Sequence, residues 1–164
     1  MRLFLDANVI FAAAISPTGR ARALFTLAGA GRGILITSPF AVDEARRNIV
    51  HKYPEATGEL ETPLSACQVV PEGSADRLEW AGRFVPVKDA PILAAAVTAR
   101  VDALVTGDRA HFGTHYGQRF EGTEVVSLAG GLELLLAAAP ADETCLDATD
   151  LRSIFRTFLL YSPA

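Results

Sequence analysis

An α/β domain built around a parallel sheet is the architecture this sequence predicts, and three observations carry the prediction. Short apolar runs alternate with stretches of helical periodicity along most of the chain. The runs at Arg2–Leu5, Gly33–Thr37 and Val101–Val105 read as buried strands. With 164 residues, 50% hydrophobic and 21% charged, the chain fits one compact domain with a full core.

Taken in order, "RLFL" (Arg2–Leu5) is the first strand and a helix follows Asp6. Ser16–Gly31 reads as a turn, a helix with apolar positions Ala23, Leu24, Leu27 and Ala28, and a glycine stop. After the second strand at Gly33–Thr37, Ser38 supplies an N-cap and Pro39 a first-turn proline for a helix to about Lys52. Pro54 marks its exit. The next stretch reads as a helix over Thr57–Ala66, a short strand over Cys67–Val70 and a helix over Ser74–Ala81. Phe84–Val87 is expected to be extended, and Lys88-Asp89-Ala90-Pro91 opens a helix to about Arg100. Beyond Val105 come a loop with a helical turn, a strand over Thr123–Ser127 and a helix over Leu128–Ala138. An amphipathic helix is expected after Thr149. The domain boundary therefore falls between a domain at 1–139 and an extension at 140–164, packed on the domain or in an interface.

Composition narrows the function classes. No apolar run approaches the roughly 18 residues needed to span a bilayer, and Asp6 interrupts the N-terminal run too early for a signal peptide. Cys67 and Cys145 are far apart and lack metal-ligand spacing, so free thiols and a cytoplasmic location are expected. Net charge is −4 and the isoelectric point near 5.3, which argues against a broadly basic nucleic-acid surface. Nucleic-acid binding here would need local basic groups or metal ions.

In open α/β sheets, ligands bind beyond the carboxyl ends of the strands. Asp6 follows "RLFL", Asp108 follows "ALVT", and Asp89 lies between "FVPV" and a helix start. Each has a plainer alternative: Asp6 and Asp89 as helix N-caps, Asp108 as a turn residue beside Gly107. Glu44 lies too deep in its helix to cap it. At about 100° per residue, with Phe40 at 0°, Glu44 falls near 40° and Ala41 near 100°. Its carboxylate therefore points with the apolar side, away from Arg46 and Arg47. An inward charge needs a partner, either an ion pair with Lys88 or an arginine, or a metal. Four carboxylates in one pocket would raise one another's pKa values. A hard divalent cation, Mg2+ or Mn2+, removes that conflict and suits phosphodiester hydrolysis.

With these residues in view, the chain resembles the PIN-domain ribonucleases, particularly the toxin-like members of bacterial toxin–antitoxin pairs. The resemblance rests on "FLDANVIFAAAISPTG", "SPFAVDEARRNI", "KDAPILAAAVTARVDALVTGDRAHF" and the late strand "VVS", which together span nearly residues 2–130. It implies a three-layer α/β/α sandwich with a mainly parallel central sheet. It also implies metal-dependent cleavage of single-stranded RNA, with Asp6, Glu44, Asp89 and Asp108 as catalytic and metal-binding acids. Asn8 and Thr106 match the family's supporting polar positions. A homodimer and a small antitoxin that covers the acidic groove are the partners it implies.

Other residues have weaker claims. Arg109 and Lys88, beside two proposed ligands, are the expected phosphate contacts, with Arg20 and Arg22 behind them. His111 and His115 have a zinc-like spacing, but Gly113 and Thr114 weaken the helix between them and no third soft ligand follows. His111 is expected to be a solvated loop histidine, with a hydrogen bond to substrate near Asp108 as the alternative, and Trp80 a core or interface residue. The rival reading is a catalytically silent PIN-like module that binds RNA or protein, favoured if the acids fail to converge or Glu44 pairs with Lys88.

Overall fold

The computed structural model describes residues 1–139. The expected C-terminal helix and Cys145 lie outside them. β1 (Arg2–Leu5) leads directly into α1 (Ala7–Ile15), and α2 (Arg20–Leu27) runs on into a widened π turn at Ala28–Arg32. Gly31, at φ 76°, ends that turn in the left-handed region a glycine reaches at little cost. β2 (Ile34–Thr37) is followed by α3 (Pro39–Lys52), then by a 3-10 segment at Pro54–Leu60, α4 (Glu61–Ser65) and β3 (Cys67–Val69). α5 (Ala75–Ala81) and α6 (Ala90–Thr98) precede β4 (Ala103–Val105). α7 (Arg109–Phe112), a 3-10 turn at Gly113–His115, β5 (Arg119–Phe120), β6 (Thr123–Val126) and α8 (Leu128–Ala137) complete the described chain.

The six strands form one sheet in the order β3-β2-β1-β4-β6-β5. All pairs are parallel except β5 with β6. Leu3, Phe4 and Leu5 are each 0% exposed, as are Ala103, Leu104 and Val105. Successive strand residues point to opposite faces, so complete burial along β1 and β4 means that helices cover both sides. The result is the three-layer sandwich. The chain leaves β1 for β2 and β3 on one side, and returns to β4 and β6 on the other. That reversal opens a crevice beyond the carboxyl ends of β1 and β4, where such sheets bind ligands.

Local chemistry explains most boundaries. The Ser38 hydroxyl accepts from the Ala41 N–H at 3.4 Å, Glu72 accepts from the Phe40 N–H at 2.6 Å, and Pro39 occupies the first turn of α3. His51 and Lys52 complement the negative end of that helix. Arg32 donates to the carbonyls of Leu136 and Ala138 at 2.9 and 3.0 Å, satisfying groups that the end of α8 leaves free.

Three expectations need correction. Phe84–Val87 is a turn, because Val85 is buried while Val87 is 83% exposed, and the Pro86 carbonyl already accepts from Asp89 and Ala90. Phe84 packs edge-on against Trp80 and Phe120 instead of pairing with a strand. The helix expected over Thr57–Ala66 is divided into the 3-10 segment and α4, since Pro63 cannot donate within a continuous helix. β5 was hidden by its length, and a tight turn at Glu121 (φ 48°) and Gly122 (φ 95°) folds it against β6.

Candidate active site

The hydrogen bond from the Asp6 N–H to the Val105 carbonyl, at 3.1 Å, binds the ends of β1 and β4 together. Two short polar segments therefore face one another there: Asp6-Ala7-Asn8 and Thr106-Gly107-Asp108. Asp6 occupies the N-cap position of α1 without making a side-chain cap. Its Oδ2 instead accepts from the Thr106 hydroxyl and from Asn8 Nδ2, each at 2.6 Å. The Thr106 hydroxyl accepts in turn from the Asp108 N–H at 3.0 Å, so one buried oxygen orients both acids. Asn8 completes the tie, its Oδ1 accepting from the Gly107 N–H at 2.8 Å. A Cβ at position 107 would stand 3.2 Å from that Oδ1. Close approach, and no positive φ, is what glycine serves there, since a side chain would press on Asn8 Oδ1.

The other two acids reach the same place from separate helices. Asp89 sits at the N-cap of α6, yet its side chain makes no capping bond. Its Oδ2 is buried and has no hydrogen-bond partner among the described residues, with Lys88 Nζ 3.9 Å away and His111 Nδ1 3.4 Å away. Glu44 projects from α3, half-buried, into a groove of about 400 Å³ that it shares with Asn8, Val9, Ala12, Gly107, Asp108 and Leu128. No ion pair joins Glu44 to Lys88 among the described residues; the Lys88 ammonium lies against Asp89. The helical-wheel reading of an inward Glu44 therefore agrees with its position.

The electrostatics show the strain of this gathering. Burial raises the Asp6 carboxyl to about 6, with Glu44 adding to the rise and the Thr106, Ala7 and Asn8 donors opposing it. Burial also raises Glu44, helped by Asp89 and Asp108 and opposed by Arg47 and Lys88. Asp89 is raised by burial and by Asp108, against Lys88 and His111. Asp108 goes the other way. Burial pushes it up, but His111, through its ring and its N–H, and the Ala110 N–H together hold it below the usual carboxylate range. Asp108 Oδ1 caps α7 through Ala110 and His111 at 3.0 and 3.1 Å, so in place of the turn beside Gly107 this residue is a helix N-cap.

His111 is not the solvated loop histidine expected, and lies beside Asp108 as the alternative had it. It is half-buried on α7, with Nδ1 2.6 Å from Asp108 Oδ2. The signal was Asp108 itself, which caps a helical turn and so turns the residue three positions on back toward its carboxylate. Donor atoms of Asp89, Asp108 and His111 lie within 4.8 Å of one another. Glu44 lies outside that tightest group but is raised by Asp89 and Asp108, and Asp6 feels the charge of Glu44. His115 is elsewhere, bonded to Gln118 and to the Phe84 carbonyl, so the two histidines form no zinc pair. Tyr116, also unforeseen, donates to the Thr106 carbonyl at 3.1 Å and braces the end of β4. Arg109 and Lys88 are exposed at the rim. Trp80 is half-buried against the core, as expected. Cys67 is a free thiol that burial raises to about 12.

The sequence model of the PIN domain matches residues 2–110. This chain belongs to the PIN-domain family. Two solved structures share the fold. PAE2754 from Pyrobaculum aerophilum is 18% identical, with a TM-score of 0.60 over 84% of this chain and 99% of that one. VapBC2 from Rickettsia felis, solved bound to a DNA fragment from its promoter, is 16% identical, with a TM-score of 0.58 over 77% of this chain and 98% of that one. No curated protein sequence matches the chain.

Proposed function

We propose that this protein is a metal-dependent endoribonuclease that cleaves single-stranded RNA, and that it serves as the toxin of a toxin–antitoxin pair. The observation that carries the reading is the Asp89 carboxylate. It stands at a helix N-cap, makes no capping bond, and keeps a buried oxygen without a hydrogen bond beside His111 and Lys88, in the repulsive field of Glu44 and Asp108. An unmet buried acceptor is costly, and a divalent cation meets that need where no protein donor does.

The residues present fit Mg2+ or Mn2+. Asp6, Glu44, Asp89 and Asp108 offer hard oxygen donors from four separate places in the fold, and three of them have carboxyls raised by burial and mutual repulsion. A divalent ion bound there would neutralise charge on a phosphodiester and activate water for in-line attack. The chain supplies the rest. Thr106 and Asn8 fix Asp6, and Thr106 also fixes Asp108. Arg109 and Lys88, at the rim, hold RNA phosphates on either side of the scissile one. The groove along Ala12 and Leu128 gives the substrate strand an apolar wall. Membership of the PIN family, the toxin-like resemblance of the motifs and the fold shared with VapBC2 support an antitoxin partner and a homodimer.

Incubation with single-stranded RNA, with and without chelator, tests the reading. Cleavage in Mn2+ or Mg2+, abolished by chelator and reduced at least a hundredfold in Asp6→Asn and Asp108→Asn, is the expected result. Full activity in both variants would sink it. An intact protein that binds RNA or a partner without cutting would instead be the silent module.

A further inference from the structure

We infer that His111 is itself a ligand of the divalent ion, and that its nitrogen tilts the site toward manganese over magnesium. The inference rests on the metal-centre reading above and adds a donor that the four acids do not include. The tightest convergence of ligand atoms among the described residues is not four carboxylates but Asp89, Asp108 and His111. His111 Nδ1 is 3.4 Å from Asp89 Oδ2 and 2.6 Å from Asp108 Oδ2. Neighbouring ligands on an octahedral ion, with bonds of about 2.1 Å, stand roughly 3 Å apart. The first pair is near that spacing, and the second reaches it by opening a few tenths of an ångström.

The ring is held for this role. Among the described residues its polar contacts are those two carboxylates. Its backbone N–H donates to Asp108 Oδ1, so ring and carboxylate share one turn of α7. Asp89 Oδ2 faces the ring with no donor of its own. Ligation uses the Nδ1 lone pair, so the bound ring is the neutral tautomer with its proton on Nε2: starting from the neutral ring that shares its Nδ1 proton with Asp108, that proton leaves for solvent and Nε2 takes one up from solvent. An imidazole nitrogen adds to the binding of manganese, a first-row transition ion although the weakest of its series, more than to that of magnesium, which keeps to oxygen and water.

Mn2+ alone, titrated into the full-length protein and followed by electron paramagnetic resonance, tests this. Pulsed measurements should show coupling of the bound ion to a ring nitrogen, lost in His111→Ala. Mn2+ affinity should fall about tenfold in His111→Ala, while Mg2+ affinity, measured by competition, falls less than threefold. His111→Asn keeps an amide donor for Asp108 and should leave the manganese preference lost. Bound Mn2+ without nitrogen coupling, or a preference restored by His111→Asn, would overturn the inference and leave His111 a positioning residue. If Mn2+ fails to bind the wild-type protein, or binds equally well to Asp89→Asn, the metal-centre reading itself falls.

Discussion

Asp6 is 5% exposed between two neutral donors, Asn8 and Thr106, and its carboxyl is raised from 3.8 to about 6 because burial penalises the charged form. The sign follows from linkage. A folded-state pKa above the unfolded value means the fold favours the protonated acid. The contribution to stability is therefore full below about pH 4, declines as pH rises toward 6, and is lost above it. At about 1.4 kcal/mol per unit, the cost to the metal-free fold at neutral pH reaches about 3 kcal/mol. Asp6→Asn should consequently raise the denaturant midpoint of the metal-free protein at pH 7.5, more than at pH 4, while abolishing cleavage. A variant less stable than wild type at pH 7.5 would contradict this. Thr106→Val removes the hydroxyl shared by Asp6 and Asp108 at nearly constant volume. It should cost about 1–3 kcal/mol of stability and lower kcat at least tenfold, with little change in KM. Arg109→Ala should weaken RNA binding evenly across sequences and flatten the salt slope by about 0.7, read by fluorescence titration at several salt concentrations.

Elements carry these side chains to one another, and their packing sets how finely the site can be held. α8 crosses β4 so closely that a Cβ on Gly131 would stand 2.9 Å from a Val105 methyl, one residue before Thr106. Gly131→Ala should cost about 1–3 kcal/mol through overpacking and reduce cleavage by shifting the end of β4. Thermal unfolding alongside the RNA assay checks both. The same elements explain what could be read in advance. Asp6 and Asp108 were legible because apolar runs end abruptly at them, and Glu44 because a helix of period 3.6 assigns it a face. The reading of Asp89 assumed an extended segment before it. No strand delivers it; a turn fixed by the Pro86 carbonyl and the Phe84 aromatic contacts does. His111 and Tyr116 were not legible because a four-residue helix and a 3-10 turn leave no periodicity, and their orientation follows from a cap and a single carbonyl contact.

At the scale of the molecule, the topology does what no motif can: it sets Asp6 and Asp108 at the adjoining ends of β1 and β4, lines a shared groove with Glu44 and Asp108, and brings Asp89 close to Asp108. The PIN match ends at residue 110, while β6 and α8 continue the sheet and its covering layer to Ala137. We propose that residues 1–139 are the nuclease domain, with 140–164 as an extension. A chain ended after Ala139 should unfold in one cooperative transition and retain RNA cleavage, and any change in its oligomeric state by light scattering would assign the extension to an interface. With a net charge of −4, the whole molecule does not attract RNA through its overall charge, so the proposed function puts that work on the local acidic centre. Single-turnover cleavage of a labelled single-stranded RNA, at saturating Mn2+, by Asp6→Asn, Glu44→Gln, Asp89→Asn and Asp108→Asn measures that most directly. The account predicts losses of at least a hundredfold in each variant, with the fold intact by circular dichroism. Near wild-type rates in two or more of the four would contradict it.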